Sequence, residues 1–599
     1  MHTERACSQR SSPTANPART DAASCPGSLN ADDGQGGPTS RTADADDPQL
    51  GCHQDGCGDP CQGRRLPLER KVRLLSGRDH WSTYPDASIG LRSIVLSDGT
   101  VGVRGVRWTE RDTSINTPSA TAIAATFDPA VAQAMGAIIG GEARRKGVDV
   151  VLGPVVNLQR SPFGGRHFEA FSEDPLLTAR TGAAMVSGMQ AEGVATAVKH
   201  FVGNESETDR LHSNSVIEER VLREAYLLPF EAVVAAGGLG VMASYNRLNG
   251  TPVVHSEILE ELLREEWGFD GFVVSDWGAI RSVAASARAG TDLAMPGPHT
   301  RWADGLVEAV RAGEVPESSI DEKVVRLLRL GARVGALDGI APLVDRALLA
   351  SPPHPEDPTV RRTLRETAAL GTVLLRNEGG VLPLDPSATG SIAVIGPAAR
   401  TPRTNGGGSA AVVAPDAVPP VDALTDALPG VDVRYAEGAR PSSLLRPLTS
   451  ANGRAPGGDG VVLVEFLRAD GTVVGAEVRD RPDTLVYGMG YPDGVPEDEV
   501  SAIRLRTTIT VERDGAHLLS AAGVGHALLT VDGAVRLDDD LLPINDDAVL
   551  GMSLPPQAVV ELDMRSDRPV DVEFTYRPPR GRWRRSASGS TPPSRTRTG

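Results

Sequence analysis

The segment that decides the fold is GFVVSDWG, residues 271–278, in which a short apolar run ends at Asp276 beside the indole of Trp277. Runs of this kind are typical of parallel strands that are buried on both faces. In α/β barrels the carboxyl ends of such strands carry the residues that do chemistry. Asp276 is therefore predicted to be a nucleophile at the end of a buried strand.

Other polar clusters follow apolar runs in the same way. Such runs occupy residues 94–96, 194–198 and 239–241, and a fourth, at 150–154, precedes a predicted loop. Because parallel strands deliver their carboxyl ends to one rim, one cleft is predicted to receive six polar side chains. They are Asp98, Arg166, Lys199, His200, Tyr245 and Asp276.

Several ordered stretches resemble glycoside hydrolase family 3, in its β-glucosidase branch. They are LLSGRDHW, SDGTVGVR, GPVVNLQRSPFGGRHFEAFSEDP, AVKHFVGNESETDR, VMASYNRLNG and GFDGFVVSDW. The resemblance covers roughly residues 66 to 577, and its strength is that many spaced motifs agree in order. It implies a retaining enzyme that releases terminal β-D-glucosyl residues from β-glucosides or short oligosaccharides, with no cofactor and no metal.

The chemistry of the cleft suits that implication. Cleavage of a glycosidic bond passes through an oxocarbenium-like state, which a carboxylate below the anomeric carbon stabilises and can attack. In the resemblance Asp276 is this nucleophile. Asp98 would accept hydrogen bonds from sugar hydroxyls, while Arg166, Lys199 and His200 would donate others and keep nearby carboxylates ionised. The predicted substrate-binding set is Asp98, Arg166, Lys199, His200, Arg210, Met242, Tyr245 and Trp277.

Some roles stay open. Arg210 either shapes the sugar site or pairs with Glu205 or Glu207, and Met242 fits the cleft wall or the core as well as a specific contact. A related β-N-acetylglucosaminidase branch takes its proton donor from a histidine on the loop that here reads KHFVGNESETDRLHSN, which includes His212. This loop lacks the Pro-Gly-His-Gly run of that branch, which favours the glucosidase interpretation.

The pattern predicts an α/β multidomain protein. Helical patterns at 129–146, 218–236 and 256–267 alternate with strand-like runs, which favours a TIM-like (β/α) barrel over residues 66–340. A helical pattern at 362–375 and a strand-like run at 392–397 begin a partial α/β sandwich over 341–446, whose glycine-rich stretch at 405–409 is interpreted as a flexible turn at the edge of the cleft. Short alternating strands over 447–577 predict an inserted β-sandwich that resembles a PA14 domain.

Residues 1–65 and the basic tail 578–599 lack apolar periodicity and are expected to be disordered. All five cysteines fall in the first of these segments, and no second ligand pair at a standard spacing supports a zinc site there. The formal net charge of -17 argues against a nucleic-acid partner. No apolar stretch is long enough to span a membrane, so a cytoplasmic location is expected.

The resemblance also predicts a difficulty. In this family the general acid/base Glu lies in the half of the sandwich that follows the insert, and the chain instead runs into its Arg/Ser/Thr/Pro tail, as a truncated or frameshifted copy would. Weak turnover, or a catalytically defective sugar-binding protein, is the corresponding expectation. Uncovered strand edges in a half-sandwich would favour association with another chain, including a homo-oligomer.

Overall fold

The computed structural model describes residues 60–578 except for 108–110, 416, 440–444, 482–486, 488–490, 493 and 543–554. The predictions for residues 1–59, including four of the cysteines, and for the tail from 579 onward lie outside the described residues. Residues Pro60–Arg65 form a short 3-10 helix, so regular structure begins before the predicted boundary at 66. There Gly63 packs on Val324 and Leu328, and a β-carbon at this glycine would lie 2.4 Å from Val324.

Short parallel strands form the centre of the first region. Its strands are Leu96–Asp98, Val150–Leu152, Ala195–Thr196, Val198–Phe201, Gly240–Ala243 and Phe272–Ser275. A small outer sheet adds Asn214–Ser215, Arg247–Leu248 and Thr251–Pro252. The six central strands are buried throughout, as their near-continuous apolar composition predicts.

The central strands pair in parallel in two three-stranded sheets. One has the order 96–98, 150–152, 195–196, and the other has the order 198–201, 240–243, 272–275. Isolated parallel bridges extend this pairing, because Val274 pairs with Leu293 and Ser76 pairs with Ala294. The parallel arrangement is as predicted, and within each sheet the carboxyl ends of the strands lie at the same edge.

Helices surround these strands. The helices of eight residues or more are Pro129–Arg145, Pro175–Ala191, Leu228–Ala235, Ala303–Arg311 and Glu317–Arg333. The shorter ones are Leu68–Leu74, Ala120–Ala124, Glu219–Val221, Ile258–Glu260 and Val283–Arg288, with π-helical turns at Leu222–Leu227 and Glu261–Glu266.

The pair Pro129–Arg145 and Pro175–Ala191 shows how the sequence sets these helices. Each begins at proline after an aspartate, Asp128 or Asp174, whose carboxylate accepts a hydrogen bond from the first turn. The two helices approach closely at glycine, since a β-carbon at Gly136 would lie 2.2 Å from the main-chain oxygen of Met185.

A smaller α/β unit follows. It contains the helices Pro358–Leu370 and Pro420–Ala427 and the parallel strands Ser391–Ile395 and Asp432–Ala436. The predicted helix at 362–375 ends five residues early, at Leu370, and Gly371 takes the C-cap position. Residues 372–375 are not helical and are mostly exposed.

The last described region is all β. Its strands are Gly453–Arg454, Val462–Leu467, Val473–Arg479, Ala502–Ile509, Gly515–Ala522, Gly525–Val531, Ala534–Leu541, Gln557–Met564 and Val570–Arg577. They form a seven-stranded sheet and a two-stranded sheet. Leu562 and Met564 of the small sheet pack with Leu529 and Val572 of the large one, as the inner faces of a β-sandwich do.

Within the described ranges no helix combines the length and the apolar character needed to cross a bilayer. The same ranges contain no group of three or more His, Cys, Asp or Glu side chains placed to hold a metal ion.

Candidate active site

Asp276 lies directly after the strand Phe272–Ser275, with 7% of its surface exposed. Its main-chain N–H donates to the oxygen of Ala243 on the neighbouring strand at 2.9 Å, and its Oδ1 accepts from the N–H of Trp277 at 2.8 Å. Oδ2 has no hydrogen-bond partner among the described residues. One oxygen is therefore anchored and the other is available to attack.

Burial and nearby cations have opposite effects on the pKa of Asp276. Burial raises the pKa of its carboxyl above the ordinary value, and it outweighs the opposing effect of Arg210, Arg166 and Lys199. A carboxylate with little solvation and no strong hydrogen bond on Oδ2 is more nucleophilic than a solvated one.

Asp98 is the last residue of the strand Leu96–Asp98. Its Oδ1 accepts from Lys199 Nζ at 2.6 Å, and both side chains are buried. Burial opposes ionisation of Asp98, but Lys199, Arg104 and the Ser409 side chain hold the pKa of its carboxyl below the ordinary value. Asp98 is thus an ionised acceptor, and its binding of sugar hydroxyls stays a prediction.

Arg166 is held from two sides. Its Nε and Nη2 donate to the two carboxylate oxygens of Glu169 at 2.8 and 3.1 Å, and its Nη1 lies 3.2 Å from His200 Nε2. Glu169 is buried and also accepts from Thr100 Oγ1 at 3.2 Å. A two-point contact of this kind fixes the plane of a guanidinium group, so Glu169 supports Arg166.

His200 corrects one expectation. Burial, with the charges of Arg166, Lys199 and Arg210, lowers the pKa of its imidazole well below the ordinary value. The ring is therefore neutral at pH 7, and it adds no positive charge that would favour ionised carboxylates. Its Nε2 lies 3.9 Å from Asp276 Oδ2.

Tyr245 and Arg210 complete the polar surroundings of the nucleophile. The Tyr245 hydroxyl donates to the main-chain oxygen of Trp277 at 2.8 Å, and burial together with the charge of Asp276 raises the pKa of that hydroxyl. Arg210 pairs with Glu207 at 2.5 Å and also stands 5.2 Å from the Tyr245 ring. The ion pair with Glu207 is therefore present, and a role of Arg210 in shaping the sugar site stays a prediction.

Met242 and Trp277, both predicted to contact substrate, differ in how far their side chains are buried. Met242 is 2% exposed and packs in the hydrophobic core, so its predicted substrate contact has no support in the structure beyond its place on the strand. Trp277 is half-buried, and its indole N–H donates to the main-chain oxygen of His80 at 2.9 Å.

Two residues near Trp277 were missed by the sequence interpretation. The rings of Trp81 and Trp277 lie 5.3 Å apart, and the Arg104 guanidinium stands 3.9 Å above Trp81. Both residues close the motifs LLSGRDHW and SDGTVGVR. The sequence signal for Trp81 and Arg104 was therefore their place in these two motifs of the resemblance.

The glycine-rich stretch at 405–409 packs on the first region. A β-carbon at Gly406 would lie 2.2 Å from the Phe168 ring, and Asn116 Nδ2 donates to the main-chain oxygen of Thr404 at 3.1 Å. The Ser409 side chain is close enough to Asp98 to lower the pKa of its carboxyl. The stretch therefore lies beside Asp98, and its interpretation as a flexible cleft-edge turn stays a prediction.

Family models match two parts of the chain. The glycosyl hydrolase family 3 N-terminal domain matches residues 79–330, and the C-terminal domain of the same family matches residues 372–523. The second match includes part of the all-β region and the part of the small α/β unit that follows the helix Pro358–Leu370.

Curated relatives carry β-glucosidase names. The chain is 39% identical to a β-glucosidase of Rhizobium radiobacter over 485 residues, which are 79% of this chain and 56% of that protein. It is 35% identical to β-glucosidase B of Emericella nidulans over 492 residues, 80% of this chain and 56% of that protein. The chain thus spans little more than half the length of these relatives.

Solved structures are similar as well. A β-glucosidase from Kluyveromyces marxianus is 28% identical with a TM-score of 0.77, over 87% of this chain and 64% of that one. DesR, a β-glucosidase from Streptomyces venezuelae in complex with D-glucose, is 27% identical with a TM-score of 0.61, over 87% and 62%. With both domain models matched in order, the chain belongs to glycosyl hydrolase family 3.

Proposed function

We propose that this chain is a retaining β-glucosidase in which Asp276 is the nucleophile. The observation that carries the proposal is the buried Oδ2 of Asp276, which has no hydrogen-bond partner among the described residues and is subject to the positive charges of Arg210, Arg166 and Lys199. The β-glucosidase names of the relatives support the same activity.

The chemistry would run in two displacements. Asp276 Oδ2 attacks the anomeric carbon, the bond from that carbon to the leaving oxygen breaks, and its electron pair goes to the leaving group. Water then attacks the same carbon, the ester to Asp276 breaks, and the carboxylate is restored as the water proton passes to solvent. Two inversions give net retention.

Asp98 would bind two sugar hydroxyls, and Trp277 would offer its face to the apolar side of the sugar ring. Arg166, Lys199, Arg210 and Tyr245 would donate to the remaining hydroxyls or orient the groups that do. The same proposal includes two statements about the fold: the all-β region is PA14-like, and the first region is an irregular, closed (β/α) barrel. The parallel bridges Val274–Leu293 and Ser76–Ala294 support the barrel.

The leaving group would receive little proton assistance from the carboxyls described around Asp276. Asp98 pairs with Lys199, Glu169 with Arg166, and Glu207 with Arg210. Since general acid assistance is worth roughly 10²–10⁴-fold, we expect this chain to hydrolyse activated aryl glucosides faster than alkyl glucosides or cellobiose by a factor in that range.

The test is hydrolysis of 4-nitrophenyl β-glucoside by the chain and by Asp276→Asn, with the first-formed sugar followed by proton NMR. The proposal expects β-glucose as the first product and no activity in the variant. α-Glucose as the first product, or a variant as active as the wild type, would contradict it. Glucose binding without any turnover would favour the sugar-binding alternative.

The N-acetylglucosaminidase alternative has a separate test. His212 lies 2.9 Å from Asp209, and both side chains are 68% exposed, whereas a proton donor must reach the glycosidic oxygen. We expect His212→Ala to keep glucosidase activity, and the glucoside to be preferred over the corresponding N-acetylglucosaminide. Loss of activity in His212→Ala would reverse this preference between the branches.

A further inference from the structure

Asn157 is a buried asparagine whose side chain forms hydrogen bonds with both the main-chain N–H and the main-chain oxygen of His200. The His200 N–H donates to Asn157 Oδ1 at 2.7 Å, and Asn157 Nδ2 donates to the His200 main-chain oxygen at 3.1 Å. A main-chain N–H only donates and a main-chain oxygen only accepts. The orientation of the Asn157 amide is therefore fixed by its surroundings.

The fixed amide decides where the His200 proton lies. His200 Nδ1 is 3.2 Å from the same Oδ1, and an acceptor oxygen requires Nδ1 to carry a hydrogen. A neutral imidazole has only one N–H, so Nε2 presents a lone pair. Arg166 gives an independent check, because its Nη1, which can only donate, faces Nε2 at 3.2 Å.

We propose that Asn157 is a positioning residue that holds His200 in the Nδ1-protonated tautomer, and that His200 in turn holds Nη1 of Arg166 beside Asp276. Glu169 occupies the other edge of the same guanidinium. With the opposite tautomer, an Nε2–H and an Arg166 N–H would face each other at this distance, and Arg166 would have to move.

Glu205 extends the same chain of contacts. Its Oε1 accepts from Asn157 Nδ2 at 3.1 Å, and both residues line a cavity of about 20 Å³ together with Arg166 and His200. Glu205 thus meets the Nδ1 edge of His200 through Asn157, while Asp276 faces the Nε2 edge. This placement makes Glu205 a support for Asn157 and separates it from the reacting carbon.

The direct test is a long-range ¹H–¹⁵N correlation spectrum of the full chain labelled with ¹⁵N-histidine, with His200 assigned by its loss in His200→Gln. The proposal expects a protonated Nδ1 and an unprotonated Nε2 for His200 at neutral pH. A protonated Nε2, alone or with Nδ1, would overturn it. This readout does not depend on glucosidase activity.

Variants test the role of Asn157. In Asn157→Ala we expect the single-tautomer pattern of His200 to be lost and kcat/KM for 4-nitrophenyl β-glucoside to fall. Asn157→Asp keeps an acceptor oxygen for Nδ1 and should retain the wild-type tautomer and a higher kcat/KM than the alanine variant. An alanine variant with the wild-type spectrum and the wild-type kcat/KM would overturn the proposal.

Asn246→Ala is the matched control, because Asn246 is equally buried but donates only to the main-chain oxygens of Val202 and Arg247. It should lose stability without a change in the His200 spectrum. The kcat/KM arm rests on the proposed function. If the wild type is inactive, the spectra of the wild type and of Asn157→Asp still show the tautomer of His200. The same two spectra serve if the alanine variant fails to fold.

Discussion

Lys199 Nζ lies 2.6 Å from Asp98 Oδ1, and the two residues belong to different three-stranded sheets of the first region. The contact joins the sheets across the interior. It places one charged pair at the base of the site, where Asp98 is 5% exposed and Lys199 is 2% exposed.

The first prediction concerns this pair. Asp98→Asn leaves the Lys199 ammonium buried without its counter-charge, and breaking a buried pair in this way costs about 3–5 kcal/mol. Urea unfolding should show that loss in the free energy of unfolding. The double variant Asp98→Asn with Lys199→Met should recover a large part of it, and additive effects of the two changes would contradict a direct coupling.

The second prediction concerns the stretch that carries Ser409. Ser409→Ala removes a hydroxyl that helps to lower the pKa of Asp98, so we expect a loss of about 1 kcal/mol in stability and weaker glucose binding by isothermal titration calorimetry. The control is Ser387→Ala, which removes a hydroxyl from an exposed turn at Asp385. Equal glucose affinity in both variants would show that Ser409 does not contribute to the site.

The third prediction is a pH dependence from Glu205. Burial raises the pKa of its carboxyl from 4.5 to about 7. Between these values the unfolded chain releases a proton that the folded chain keeps, so the free energy of unfolding falls as the pH rises from about 4.5 to about 7 and is level above that.

Glu205→Gln should remove this fall and stabilise the protein above pH 7. We expect a gain in the free energy of unfolding on the order of 2 kcal/mol, which is less than the pKa shift alone would give, because water still reaches part of this half-buried residue. Urea unfolding at pH 5 and pH 8 measures it. Glu173→Gln changes the same charge at an exposed position. A wild-type slope in Glu205→Gln would refute the assignment.

The fourth prediction concerns exposed apolar side chains in the small α/β unit. Leu375 is 91% exposed, Ile395 71% and Val373 62%, and large apolar side chains exposed to water favour association. We expect concentration-dependent self-association in sedimentation velocity, reduced by Leu375→Ser. Leu348→Ser changes a leucine that is 84% exposed in the first region and should have less effect. Monodisperse wild-type protein would contradict the prediction.

Local pattern was enough to predict the strand before Asp276, which is buried, parallel and ends at Ser275. It did not give the end of the strand at Lys199 and His200, because both residues lie inside Val198–Phe201 and not after it. The strand Gly525–Val531, whose residues alternate between buried and half-buried, follows the alternation predicted for the all-β region.

Contacts between distant segments were beyond that pattern. Ser409 meets Asp98 across more than three hundred residues, and Arg104 is placed by the ring of Trp81. The position of the proton on His200 also depends on a contact between distant residues, because the side-chain amide of Asn157 sets it. The spacing of residues in the sequence does not predict that contact. The helix end at Leu370 was missed because Gly371 stops the helix before the apolar pattern stops.

The central claim is that Asp276 is a working nucleophile. The measurement that tests it most directly is incubation with 2-deoxy-2-fluoro-β-D-glucosyl fluoride, whose fluoride leaves without protonation and whose 2-fluoro group slows both displacements. Mass spectrometry of the intact chain and of its peptides then locates the label. The account predicts one fluoroglucosyl ester on Asp276 in the wild type and none in Asp276→Asn. An unlabelled but folded wild type, or a label on another residue, would contradict it.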